Sequence, residues 1–266
     1  VPQASVPALF AAGMIPGILS GLTLILVAWW LSVKNNFEAE PAEPRPPFWK
    51  SLKEAGWGLL APVIILGGMR SGFFTPTEAA VVAVFYGLLV GMVIYRTLTW
   101  KEVYQVLVES AEISSVILTV VALASVFAWG SNTLGTFDHL AAALLGTGLS
   151  EIAMLLSIQL LLLIAGMFLD AISIYFIFLP LLIPIAIHFN WDLVWFGVII
   201  TMNMALGQFH PPLGVNLMVT CRMAGVSMES TVPWVLWMVA AMACTMMLVT
   251  FVPELALWLP RHLGYL

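Results

Sequence analysis

Long apolar runs alternate with short polar interruptions along this chain, and the spacing predicts helices rather than strands. Apolar runs of helical length cover residues 8–33, 57–72, 75–95, 113–129, 152–187, 193–221 and 232–258, and a membrane-spanning helix needs about 20 such residues. Two runs are too long for one crossing and are broken internally. Residues 152–187 would make a helix of about 54 Å, against a hydrocarbon core of about 30 Å. Gly166-Met167-Phe168-Leu169-Asp170-Ala171-Ile172-Ser173 interrupts that run with a carboxylate, leaving two arms of about 25 Å each. The expectation is a re-entrant hairpin with Asp170 at its tip, where it can cap the second arm by accepting from the N–H of Ile172 or Ser173. Residues 193–221 would span about 43 Å as one helix. They are broken at Gly207-Gln208-Phe209-His210-Pro211-Pro212-Leu213-Gly214-Val215-Asn216. Pro211 and Pro212 lack N–H groups and clash with the carbonyls of Gly207 and Gln208, and His210 is pushed out of helical geometry by the proline after it.

The predicted fold is therefore all-α and integral to a membrane, with six transmembrane helices, one broken at mid-membrane, plus the hairpin. Residues 1–33 form a first helix, kinked at Pro16-Gly17, and 34–56 a Pro-rich linker. Residues 57–150 hold scaffold-side helices, a surface connector at 101–112 and an interfacial arm at 136–150. The core is 151–222, and 223–266 carry the last crossing. Thr75-Pro76-Thr77-Glu78 reads as a capping box that opens the third helix. Broken backbone at membrane depth is tolerated only against protein or a polar cavity. Two consecutive broken segments thus predict a binding site near the midplane, as in secondary transporters.

Composition agrees with the membrane assignment, at 62% hydrophobic, 9% charged and mean hydropathy +1.04. The nine Lys and Arg residues form no basic stripe, which argues against nucleic acid as a partner. Their distribution orients the chain. With the linker inside, Lys34, Arg45, Lys50, Lys53, Arg96, Lys101 and Arg222 fall inside, and only Arg70 and Arg261 outside. Both ends of the chain are then expected outside. Cys221 and Cys244 have no metal-ligand spacing and read as packing residues. The chain opens at Val1 without a basic n-region, so a signal peptide is not expected, and a piece of a longer protein is.

Among polar residues in apolar runs, Asp170 is the candidate with the highest cost and hence the strongest claim to function; its alternative role is that of a cap. His210 is read as a proton-linked switch, a substrate donor, or an imidazole bonded within the joint. Asn203 is expected to satisfy backbone freed at the joint, and Asn216 to bind ligand or do the same. Arg70 and Glu78 are read as a snorkelling arginine and a cap, with substrate binding as the alternative. An embedded hydrolase would need a second deep carboxylate or a serine with a histidine base; there is no such carboxylate, no H-E-x-x-H and no G-x-S-x-G, so no enzyme is expected.

Several of these motifs, in order, resemble the large membrane subunit of the tripartite ATP-independent periplasmic (TRAP) transporters. They are Leu9-Phe10-Ala11-Ala12-Gly13-Met14-Ile15-Pro16-Gly17, Gly72-Phe73-Phe74-Thr75-Pro76-Thr77-Glu78-Ala79-Ala80, the hairpin tip, Pro180-Leu181-Leu182-Ile183-Pro184, and Asn203-Met204-Ala205-Leu206-Gly207 leading into the double proline. Val252-Pro253-Glu254-Leu255-Ala256-Leu257-Trp258-Leu259-Pro260 completes the series. One departure is His210, where the family usually has threonine.

The resemblance implies the second half of an inverted-repeat, elevator-type transporter, with residues 1–33 as the last helix of the first repeat. It implies sodium-coupled uptake of an organic acid across the bacterial inner membrane. The implied partners are the N-terminal half of the large subunit, a small four-helix membrane subunit and a soluble periplasmic binding protein that delivers the cargo. An anionic cargo would be repelled by Asp170, so the carboxylate is assigned with Gly166, Ser173, Gly207 and Gln208 to the coupling Na+. Ala171, Ile172, Ser173, His210, Leu213, Gly214 and Asn216 are assigned to the substrate, at helix N-termini whose N–H groups face an anion. Another elevator-type family of anion carriers is the alternative.

Overall fold

A computed structural model describes residues 5–36, 47–169, 171–212 and 214–266. Among these residues every regular element is helical. Seven helices are long and apolar enough to cross a membrane: Val6–Lys34, Phe48–Met69, Pro76–Ile94, Trp100–Thr133, Glu151–Phe168, Ala171–His188 and Met228–Phe251. The chain is an all-α, multi-pass membrane protein. It divides into two compact units, one of residues 37–116 and one of 1–36 with 117–266.

In the smaller unit α2 (Phe48–Arg70) and α3 (Pro76–Leu89) pack together. Tyr86 donates its hydroxyl to the Trp57 carbonyl at 2.6 Å, and Tyr95 donates to that of Glu54, so the two helices run antiparallel. Their turn depends on Gly68, where an added Cβ would lie 2.2 Å from the Phe74 ring. The capping box is present: Thr75 N–H donates to the Glu78 carboxylate at 2.8 Å, and Glu78 N–H donates to the Thr75 hydroxyl at 3.3 Å. A π-helical turn, Val90–Ile94, follows. The linker expected over 34–56 is helical from Phe48 onward, because proline at 47 is compatible with a helix start; residues 37–46 of it lie outside the described residues.

The connector expected at 101–112 and the crossing expected at 113–129 are one helix, α4 (Trp100–Thr133). A second capping box opens it, Thr99 N–H donating to Glu102 at 2.7 Å. No proline or glycine interrupts residues 100–129. The polar first turns therefore continue the helix instead of ending it. The arm at 136–150 contains α5 (Thr136–Leu145), which packs on α7 (Ala171–His188).

The larger unit is built around α8 (Leu193–Phe209), which contacts α1 (Val6–Lys34), α6 (Glu151–Phe168), α7 (Ala171–His188), α9 (Val215–Ala224), α10 (Met228–Phe251) and α11 (Glu254–His262). A helix apolar on all sides is stable only when surrounded, and Val194, Ile199, Ile200, Met204 and Leu206 are all buried. Asp192 starts α8 by accepting from the N–H groups of Val194 and Trp195 at 2.8 and 3.2 Å. The last crossing, expected to run to Trp258, stops at Phe251. Pro253 lacks the N–H that would continue it, and α11 starts afresh at Glu254.

Candidate functional site

One indole fixes the start of α6 to the start of α8, and a second fixes α8 to α10. Trp191 Nε1 donates to the Glu151 carboxylate at 2.9 Å, tying the start of α6 to the residue before the α8 cap. Trp195 Nε1 donates to the Val249 carbonyl of α10 at 2.9 Å. From this common base α6 and α8 run parallel, and they meet again at the other end through two glycines. A Cβ on Gly207 would lie 2.8 Å from Gly166 Cα and 2.9 Å from its carbonyl carbon. The two backbones therefore touch where neither residue has a side chain. Gly166 is one turn before the hairpin tip and Gly207 one turn before His210. The end of α6 thus stands against the end of α8 at its break.

The break itself is held open by local chemistry. His210 is extended (φ −78°, ψ 127°) and ends α8, its N–H reaching only the Gly207 carbonyl at 3.3 Å. Its ring Nδ1 bonds the Pro211 carbonyl, so of its three expected roles the bond within the joint is present. Gly214 N–H donates back to the His210 carbonyl at 3.1 Å. A Cβ on Gly214 would lie 2.6 Å from the Gln208 carbonyl oxygen, so the return of the chain at this point requires glycine. Across the break the Asn216 amide donates to Gln208 Oε1 at 3.0 Å, linking the two half-helices. The joint thus presents the carbonyl end of α8 and the N–H end of α9 to one another.

Of the sequence-derived candidates, Gly166 and Gly207 are in contact, and Gln208, His210, Gly214 and Asn216 form the joint. Ala171, Ile172 and Ser173 make the half-buried first turn of α7. The following residue, Ile174, is buried, and its Cδ1 lies 3.8 Å from where a Gly166 Cβ would be. Asp170 and Leu213 lie outside the described residues. Asn203 departs from expectation. Its amide donates not to freed backbone of its own joint but across to the Gln159 carbonyl of α6, at 2.8 Å. The reason is geometric: Asn203 is fully buried on the α6-facing side of α8, a turn before the break. Gln159 had one signal in the sequence, an amide alone in a Leu-Leu-Ser-Ile-Gln-Leu-Leu run. A hydroxyl link, Tyr175 with Thr201 at 2.6 Å, ties α7 to α8 and had no comparable signal. A cavity of about 590 Å³ between α1, α7 and α8 is lined mainly by apolar residues such as Leu9, Leu179, Phe196 and Met242. Among the described residues no group of three His, Cys, Asp or Glu side chains could hold a metal; backbone and amide oxygens are the donors this site offers.

Comparison with known proteins bears on what such a joint is for. The family described as "Tripartite ATP-independent periplasmic transporter, DctM component" matches residues 1–255. The chain is 37% identical over 257 residues to an isethionate TRAP transporter permease protein of Oleidesulfovibrio alaskensis, covering 96% of this chain and 40% of that protein. It is 33% identical to a sialic acid TRAP transporter permease protein of Haemophilus influenzae (99% of this chain, 43% of that protein). It is 36% identical to a C4-dicarboxylate TRAP transporter large permease protein of Pseudomonas aeruginosa (98% and 61%). The chain thus spans from two-fifths to about three-fifths of the length of these relatives.

Proposed function

Because this chain belongs to the DctM component family of the tripartite ATP-independent periplasmic transporters, we propose that it carries the second-repeat half of a permease for an organic acid anion. The reading places it in the bacterial inner membrane, both ends on the periplasmic side. Cargo is delivered by a soluble periplasmic binding protein, and transport is coupled to sodium by an elevator motion of the hairpin-bearing core. The preceding half of the large subunit and a small membrane subunit of four helices complete the assembly. The observation that carries the reading is the backbone contact of Gly166 with Gly207. Two broken elements meet there, which is how secondary transporters build ion and substrate sites from helix ends.

Within that reading the hard oxygens at the carbonyl end of α8, on Gly207 and Gln208, serve the sodium ion together with Gly166, Ser173 and Asp170. The Gln208 amide is engaged with Asn216, so its backbone carbonyl is the group offered. The N–H ends of α7 and α9, at Ala171–Ser173 and at Leu213, Gly214 and Asn216, serve the acid anion of the cargo, and His210 stands at the boundary between the two sets. The names of the relatives supply the candidate cargoes: a sulfonate, a sugar acid and C4-dicarboxylates. The test is uptake of these labelled acids by proteoliposomes holding the complete permease and its binding protein. The expected result is accumulation that needs an inward sodium gradient. Equal uptake with potassium replacing sodium would refute the coupling, and uptake of none of the acid classes would refute the cargo.

A further inference from the structure

Below the joint, three polar side chains form a chain across the packed faces of α6, α8 and α10. Thr250 of α10 donates its hydroxyl proton to the Met246 carbonyl at 2.8 Å. Having spent its only proton, that oxygen can only accept, and it accepts from Gln159 Nε2 at 2.9 Å. Asn203 Nδ2 donates to the Gln159 backbone carbonyl at 2.8 Å. The Asn203 orientation is fixed, since turning it over would set its oxygen against the Gln159 carbonyl oxygen, and the Gln159 orientation follows from Thr250 donating to Met246. What remains is two acceptors, Gln159 Oε1 and Asn203 Oδ1, neither with a hydrogen-bond partner among the described residues. Gln159 is 3% exposed and Asn203 0%. A buried amide oxygen without a donor is strongly disfavoured, so each calls for an electropositive group.

We infer that a buried water molecule occupies the α6–α8 seam and donates to Gln159 Oε1 and Asn203 Oδ1. A water is the species the chemistry selects. It offers two protons to atoms that need two, and it is the usual partner of such groups in protein interiors. A cation would bring a full charge into a seam whose polar groups are neutral amides and a hydroxyl, with no carboxylate among them to offset the loss of hydration. The site is independent of what the permease carries. Its place is one turn before Gly207 on α8 and two turns before Gly166 on α6, where it fixes the register of the two elements that meet at the joint.

Two measurements test it on the complete permease. In a map fine enough to show ordered solvent, a spherical peak within hydrogen-bond reach of both oxygens is expected, with no anomalous signal after thallium(I) is exchanged for sodium. A thallium peak there would overturn the water in favour of a cation, and an empty seam would overturn the site. The second is radiolytic footprinting, in which a bound water oxidises buried side chains beside it. Met202 and Met204, buried on either side of Asn203, should be oxidised at least threefold faster in the native protein than in the Gln159→Leu, Asn203→Leu double variant, at equal overall labelling of exposed methionines. Equal rates at these positions in both proteins would overturn the inference.

Discussion

A single methyl group at Gly207 should disturb both stability and ion affinity, and the size of the effect can be worked from the contact with Gly166. In Gly207→Ala the new Cβ would start 2.8 Å from Gly166 Cα and 2.9 Å from its carbonyl carbon. Carbon atoms pack at about 3.5–4.0 Å, so the backbones must separate by about 1 Å. The obstacle is main chain rather than the far end of a flexible side chain, so no rotamer change relieves it. Overpacking of this kind costs about 1–3 kcal/mol, and each 1 kcal/mol moves the melting temperature of a chain this size by about 2–4 °C. A fall of roughly 2–12 °C is expected for the purified permease. If about half of the strain is taken up at the joint, the loss there is about 0.5–1.5 kcal/mol, or a hold on sodium weaker by about two- to twelvefold. Gly166→Ala begins from 3.3 Å to Gly207 Cα and should be milder on both counts. The assays are thermal unfolding followed by tryptophan fluorescence, and uptake over a sodium series at constant ionic strength. Gly207→Ala with native melting and a native sodium midpoint would refute the reasoning, and so would Gly166→Ala being the more damaging of the pair.

Asp170→Asn keeps a side chain that caps a helix about as well and removes only the charge. It should fold normally yet need about ten times more sodium for half-maximal uptake, a loss of about 1.4 kcal/mol; an unchanged midpoint would make Asp170 a cap and nothing more. Gly214→Ala sets a Cβ 2.6 Å from the Gln208 carbonyl oxygen, so uptake should fall at least about fivefold, as strain of about 1–3 kcal/mol at the joint implies, and wild-type rates would show that the joint re-forms around the methyl. A double-mutant cycle on Gln208→Ala and Asn216→Ala should return a coupling of about 0.5–1.5 kcal/mol for the amide bond across the break, read from thermal unfolding; strict additivity would mean the bond contributes nothing. Thr75→Ala should lower stability by about 1 kcal/mol through loss of the N-cap, with uptake unaffected per folded molecule, and a melting curve that does not move would contradict the capping box.

The parts of this fold that were legible in the sequence are those written along one helix. Hydropathy gives runs and lengths, prolines and glycines give breaks, and Thr75 with Glu78 gives a helix start, because each signal lies within a few residues of its effect. The breaks after Phe168 and after Phe209 are legible this way, from comparing run length with bilayer thickness. Where expectation and structure part, the signal was local but read too strongly. The polar turns at 101–112 read as a surface connector separate from the crossing at 113–129, although nothing among residues 100–129 removes a backbone donor. The end of α10 was carried past Pro253, which does remove one.

What decides the candidate site is lateral, and sequence spacing carries little of it. Gly166 and Gly207 are 41 positions apart, and glycine has no side chain to mark which neighbour it admits. Gln159 shows the limit best. Its amide within an apolar run demands a partner, since an unpaired amide at that depth costs several kcal/mol by the scale of transfer to hydrocarbon, about 4–8 kcal/mol. The sequence therefore guarantees that some polar group faces it. Asn203, Thr245 and Thr250 all qualify by type and by their place in apolar helices. The parallel run of α6 and α8, set at one end by Trp191 with Glu151 and at the other by the two glycines, brings Asn203 to it, and the packing of α10 on α8 brings Thr250. The polar chain is therefore a consequence of the register that the glycine contact establishes, which is why a methyl group at Gly207 should be felt two turns away at Gln159 as well as at the joint.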